Sequence, residues 1–280
     1  MGNKYIDAHL HLDQYLLRYG KEKLHDMINR WQLAGVSGVV AVSTDLASAY
    51  RTLDLKQWYP DFVYAAVGYH PEQPLPSEKE LCELFSLVRQ ERRWIAALGE
   101  VGLPHYTLEK MGHPPLEGYM ELLRLFLQQS QMFDLPVLLH AVYDKVQSVF
   151  ELLQQENVSR AHFHWLKAPQ EMIQQIVKAG YYVSVTPEVC YRKRDQRLVE
   201  LVPIENLLVE TDGPWPFAGP FEGQNTTPLF LPQVVDYIAC LKGLGASGLA
   251  NQLMINVYKL LLKKDQYQSW QLWQSNKHGE

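Results

Sequence analysis

Eight short apolar runs recur along the 280-residue chain with helical patterns between them, and this alternation limits the fold more than any other feature. The runs are 5–11 (YIDAHLH), 36–42 (VSGVVAV), 62–68 (FVYAAVG), 95–101 (IAALGEV), 136–140 (PVLLH), 160–165 (RAHFHW), 181–185 (YYVSV) and 206–211 (NLLVET). Most are apolar throughout, as strands covered on both faces must be. Between them, stretches such as SEKELCELFSLVRQERR and GYMELLRLFLQQSQMF carry apolar residues at helical spacing, and Ser77 with Glu80 makes a capping-box pattern. Eight strands alternating with helices predict an α/β chain folded as a single-domain (β/α)8 barrel over residues 1–264, with a C-terminal helical tail at 265–280. A doubly wound open sheet is the alternative. At 47% hydrophobic and 20% charged, with no linker or composition shift, the sequence marks no second domain.

In a barrel of this kind the functional groups gather where strands end at their C-termini. His9 and His11 close the first run, and His70 follows the third in GYHPE. Glu100 lies in the fourth, His140 ends the fifth, and His162 and His164 lie in the sixth. The eighth runs into Glu210 and Asp212. Six of the ten histidines thus fall at one end of the expected barrel. In the first run Asp7, His9 and His11 alternate with Ile6, Ala8 and Leu10, so they share a face of the strand, where burial without a bound ion would be costly. Four histidines, a glutamate and an aspartate are too many for one metal with an open position, and they suit two divalent ions. The mixed nitrogen and oxygen donors favour Zn, Mn or related transition metals, with Mg also admissible, over Ca or iron–sulfur clusters. A metal-activated water is the expected nucleophile. GxSxG, HExxH and a Gly-rich phosphate loop are all absent from the sequence.

A net charge of −5 argues against electrostatic coating of nucleic acid, though not against a local phosphate site whose charge comes from metal. Cys82, Cys190 and Cys240 are scattered with no CxxC, which predicts reduced, buried thiols. No apolar run has bilayer length, no secretory signal opens the chain, and Ile6 stands where a myristoylation pattern needs Ser or Thr. A cytoplasmic protein without a membrane partner is the expectation.

The successive segments DAHLHLD, AAVGYHPE, LGEVGL, LPVLLHA, HWLKAPQEMIQQIVKAGYYVSV, LLVETDGPW and ANQLMINVYKLL resemble, in order and from about residue 5 to 262, the motifs of the TatD family. These are metal-dependent hydrolases of the amidohydrolase superfamily, many of them deoxyribonucleases. The resemblance implies that His9 and His11 are the first metal-ligand pair, that Glu100 bridges two metals, and that His140 and Asp212 are further ligands. Asp212 would also serve as general base. On strand 6, where parity leaves His162 and His164 open, distance back from Ser184 matches His164 to the family's ligand and leaves His162 a supporting or packing role. His70 matches a histidine near the substrate that is not usually a ligand.

The sequence departs from the family around the substrate. Gly102–Leu103–Pro104 replaces the usual GLD, and His140–Ala141–Val142 replaces HSR and so lacks its arginine. HWLKA stands for HCFSG, and Gln224–Asn225–Thr226–Thr227–Pro228 lacks the arginine of R-x-N-x-P. Lys167, or the Arg192–Lys193–Arg194 run, is the expected source of the missing charge; a solvated helix start is the plainer reading of that run. His105 and Tyr106 are expected in a loop over the site, in contact with substrate or as loop filler. Asp7 and Glu210 are expected to support the ligands. His25, His113 and His278 are expected on the surface, and Trp270 and Trp273 to pack on the body or bind a protein partner.

The expected activity is hydrolysis of phosphodiesters, with DNA shortened from an end. A small amide, lactone or phosphoester substrate is the second reading. A metal-stabilised barrel subunit of a larger complex is the third.

Overall fold

The computed structural model describes residues 2–277. Eight strands form one sheet in sequential order: β1 Tyr5–Leu10, β2 Val36–Val42, β3 Val63–Val67, β4 Ile95–Gly102, β5 Val137–His140, β6 Ala161–Phe163, β7 Tyr182–Val185 and β8 Leu207–Val209. Every pair from β1·β2 to β7·β8 is parallel. Helices cover the outside of this nearly closed barrel, so both faces of the strands are dry: β1, β5, β6 and β8 are buried along their whole length.

The helices form where the apolar spacing predicts. Glu78–Gln90 buries Leu84, Leu87 and Val88, and Ser77 caps it with the full reciprocal box to Glu80. Glu117–Phe133 buries Tyr119, Leu122, Leu123, Phe126 and Leu127. No single described helix is long and apolar enough to cross a membrane.

Between β8 and β1 side chains supplement the backbone. Asp7 accepts hydrogen bonds from the Thr211 amide (2.9 Å) and hydroxyl (2.6 Å), and the Asp212 amide donates to the His9 carbonyl (3.0 Å). Burial pushes the Asp7 carboxyl up to about 8 against the pull of the Thr211 bonds. Asp7 therefore joins the last strand to the first, rather than bracing a histidine ring.

Two expectations need correction or limit. Cys82 and Cys240 are exposed and Cys190 is half-buried, so the thiols are not core residues. The first two sit on solvent faces of helices whose buried stripes are Leu84/Leu87/Val88 and Val234/Val235/Ile238. His278 and the side chain of Trp273 lie outside the described residues. In the C-terminal helix Lys264–Lys277, Trp270 packs on Tyr258 with ring centroids 4.4 Å apart.

Candidate functional site

Glu100 is the centre of the strand-end cluster. Its backbone amide donates to the Ser43 carbonyl at the end of β2 (3.3 Å), while the Ser43 hydroxyl accepts from the Gly68 amide (2.9 Å). Gly68 is obligatory there, because a Cβ would run into the backbone of Gly99 and Glu100. The ends of β2, β3 and β4 are thereby fixed to one another, and Glu100 is held 1% exposed.

The two oxygens of Glu100 face different histidines. Oε1 lies 2.8 Å from His140 Nδ1, 2.8 Å from His164 Nε2 and 3.2 Å from His70 Nε2. Oε2 lies 3.1 Å from His9 Nε2 and 3.5 Å from His11 Nε2. Asp212 completes the second side, with Oδ1 3.4 Å from His11 Nε2 and 3.6 Å from His9 Nε2. That Oδ1 is buried and has no hydrogen-bond donor. The Asp212 backbone is left-handed (φ 45°), a conformation aspartate tolerates better than most residues.

Burial pushes the Glu100 carboxyl up, but His70, His164, His9 and His140 outweigh it and hold the group well below the usual range. Asp212 is likewise held down by His11, His9 and His164 against burial. Both acids are therefore anionic, and against the pull of burial they raise the His11, His140 and His164 imidazoles above the ordinary value. An unpaired buried oxygen and converging nitrogen and oxygen donors are what a divalent cation needs. Three sets bring ligand atoms within 4.8 Å of one another: His9/His11/Glu100, His9/His164/Asp212 and His70/Glu100/His140.

The hydrogen bonds behind the rings decide which nitrogens can bind an ion. His164 Nδ1 faces Glu210 Oε1 (3.3 Å), and Glu210 Oε2 accepts from the Ser184 hydroxyl (2.6 Å). His140 Nε2 faces Glu72 Oε1 (3.0 Å). With an ion bound, each of these carboxylates can take the ring proton on its own side, which would turn the lone pairs of His164 Nε2 and His140 Nδ1 toward the ion. His70 is the opposite case. Its Nδ1 accepts the Glu72 backbone N–H (3.1 Å), so the neutral ring carries its proton on Nε2 and donates to Glu100. Burial pushes the His70 imidazole down toward the neutral form. In this state His70 fits a hydrogen-bond donor better than a ligand.

On strand 6 the chain leaves β6 after Phe163, and Trp165 is left-handed (φ 39°). His164, one residue past the strand, reaches Glu100, whereas His162 lies within β6, 2.7 Å from the Ser184 hydroxyl.

The cluster opens into a cavity of about 780 Å³, whose outer wall includes Tyr106, Tyr143, Trp165, Lys167, Arg194 and Trp215. Lys167 is 8% exposed; its Nζ donates to the Tyr106 hydroxyl (2.6 Å) and lies 4.0 Å over the Trp165 ring. Burial and the nearby Arg194 pull its ammonium down to about 8. Among the described residues no carboxylate pairs with it. Arg192 and Arg194 also line the cavity, yet both are bonded to Glu188 (3.2 and 2.5 Å), and Arg194 to Asp195 (2.8 Å) as well. His105 is not on the cavity wall: its ring lies 3.2 Å from Asp144 Oδ1, and the neighbouring Tyr106 and Thr107 line the cavity instead. His25 pairs with the exposed Tyr59 hydroxyl, away from the site.

Glu72, Ser184, Trp165 and Glu188 are the residues that sequence reasoning passed over. Only Glu188 left a usable trace, four residues before Arg192 at ion-pair spacing.

A model of the family described as TatD related DNase matches residues 6–262. An uncharacterised metal-dependent hydrolase of Haemophilus influenzae is 37% identical over 251 residues, which are 90% of this chain and 96% of that protein. The 3′-5′ ssDNA/RNA exonuclease TatD of Erwinia tasmaniensis is 26% identical over 84% of this chain and 92% of its own. Among solved structures, a TatD homologue from Escherichia coli aligns with a TM-score of 0.81 at 25% identity, covering 92% of this chain and 97% of that one. The barrel, the strand-end cluster and these matches agree: the chain belongs to the TatD family of metal-dependent hydrolases.

Proposed function

We propose that this protein is a DNA exonuclease in which two divalent cations, Zn, Mn or Mg, bind at the two sides of Glu100. His9, His11 and Asp212 would hold one ion, and His140 and His164 the other, with Glu100 shared. The observation that carries the two-ion reading is the division of Glu100, with three histidines on Oε1 and two on Oε2. Bound cations supply Lewis-acid polarisation of the phosphoryl oxygen and a water of lowered pKa.

The chain's own residues supply the rest. Asp212 has a free, anionic Oδ1 to accept a proton from the attacking water. His70 lines the cavity and donates Nε2–H to Glu100 Oε1, bracing the shared carboxylate from the substrate side. Lys167 answers the arginine missing at position 142, because Val142 and Lys167 are paired neighbours across a β-bridge. Its ammonium is therefore close to where the family's arginine would emerge, and it is free to bind phosphate. Tyr106 and Trp215, 50% and 58% exposed on the cavity wall, give bases surfaces on which to stack. The relative named as a 3′-5′ ssDNA/RNA exonuclease supports the same substrate class.

The test is digestion of end-labelled single- and double-stranded DNA by the purified protein with Mn, Mg or Zn, beside Glu100→Ala. Stepwise shortening by the wild type alone supports the exonuclease. Stoichiometric metal binding without shortening, and turnover of a neutral ester or amide that ignores ionic strength, would replace it with the small-substrate hydrolase.

A further inference from the structure

Glu72 lies two residues beyond His70, in the loop after β3, and its carboxylate joins parts of the molecule far apart in sequence. Oε1 accepts the backbone N–H of His105 (2.7 Å) and of Tyr106 (2.9 Å) and faces His140 Nε2 (3.0 Å). Oε2 accepts the Thr107 N–H (2.7 Å) and hydroxyl (2.7 Å). The side chain is 9% exposed. Among the described residues, the three amides of 105–107 have no hydrogen-bond acceptor other than Glu72. This loop carries Tyr106, whose hydroxyl holds the Lys167 ammonium. A chain of direct contacts thus runs from His140 through Glu72 to Tyr106 and Lys167.

We propose that Glu72 is a positioning residue that couples ion binding at His140 to ordering of loop 104–107 and, through Tyr106, of the Lys167 ammonium. The inference rests on the metal-site reading of the strand-end cluster. An ion held at His140 Nδ1 needs the lone pair there, which commits the ring proton to Nε2, and Glu72 Oε1 is the acceptor of that proton. The same oxygen holds two loop amides. Binding free energy at one end is therefore shared with loop order at the other, and the coupling is reciprocal.

The experiment uses the full-length protein and Zn²⁺ alone as probe. Hydrogen exchange is measured at amides 105–107 with and without Zn²⁺, and Zn²⁺ affinity is measured by chelator competition for wild type, Glu72→Ala and Glu72→Gln. In the wild type, Zn²⁺ should slow exchange at all three amides about tenfold or more. Glu72→Ala should abolish that dependence and weaken Zn²⁺ binding about 10–100-fold. Glu72→Gln gives a finer signature: its remaining carbonyl keeps amides 105 and 106, whereas its NH2 group opposes the Thr107 N–H and frees amide 107 alone. Zn²⁺ binding by wild type with unchanged exchange at 105–107 overturns the coupling and leaves the metal site standing. Wild-type Zn²⁺ affinity in folded Glu72→Ala does the same. Failure of the wild type to bind Zn²⁺ at all overturns both.

Discussion

Glu100 and Lys167 line the same cavity but are held by different kinds of structure. Glu100 belongs to β4, its backbone is hydrogen-bonded to the end of β2, and its side chain is enclosed by histidines that are themselves braced. Lys167 follows β6 in irregular backbone, and its ammonium is placed by a tyrosine from another loop and by the Trp165 ring. The inner group is fixed by the sheet, whereas the outer one depends on contacts between loops. Barrels divide labour in this way, with ions held by strand ends and substrates chosen by loops that are free to vary.

The largest effects should come from the inner set. Glu100→Ala and Asp212→Ala are expected to lower kcat/KM about 10³-fold or more, because each removes an ion-holding oxygen and the second also removes the proton acceptor. Both variants should remain soluble, since the imidazoles around them can become neutral. Wild-type rates in steady-state assays of either variant would break the distinction between the inner and outer groups. Glu210→Gln should act less strongly, weakening metal affinity about 10–100-fold by replacing the carboxylate behind His164 Nδ1 with a neutral, weaker acceptor. Chelator competition measures this directly, and an unchanged affinity would mean that Glu210 serves only Ser184.

The same division explains what could be read in advance. All eight strands were visible because parallel strands covered on both faces leave continuous apolar runs, and the side chains at their ends follow from polarity alone. Legibility ended where the strands did. His162 and His164 have the same parity and differ only in their level along the barrel: His164, one residue past β6, is 2.8 Å from Glu100, whereas His162, inside the strand, is 2.7 Å from Ser184. Glu72 was invisible because its partners are 33 to 68 residues away and no periodicity connects one loop to another. Ser184 and Thr211 read as ordinary strand residues, although their hydroxyls fix Glu210 and Asp7. His105 and Tyr106 are both expected over the site, but only the tyrosine lines the cavity, a choice made by backbone turns that the sequence does not announce.

Lys167 tests the outer wall. Lys167→Met should lower kcat/KM on DNA about tenfold or more, the scale of one charge-assisted hydrogen bond. It should also flatten the dependence on salt by about one phosphate contact. In the wild type the ammonium, pulled down to about 8, is charged below that pH and neutral above it. Activity on an anionic substrate should therefore fall as pH rises through about 8. Lys167→Arg, which stays charged, should remove that limb from the pH–kcat/KM profile. An unchanged profile in Lys167→Arg would assign the alkaline limb to another group.

The smallest effect should belong to Arg192, and it sharpens the contrast with Lys167. Arg192 also lines the cavity, but its side chain is 57% exposed and its Nε lies 3.2 Å from Glu188 Oε1. A cation that already has a carboxylate and is open to solvent has little left to offer a phosphate, and such pairs are worth about 0–1 kcal/mol. Arg192→Ala should therefore change kcat/KM less than about fivefold, with the salt dependence nearly intact. Glu188→Gln reverses the logic. With the shared carboxylate neutralised, Arg192 becomes available to the substrate while Arg194 keeps Asp195, and binding of DNA should tighten rather than weaken, most clearly at low salt. If Arg192→Ala costs as much as Lys167→Met, pairing with Glu188 does not silence the arginines, and phosphate recognition is spread along the wall instead of resting on Lys167.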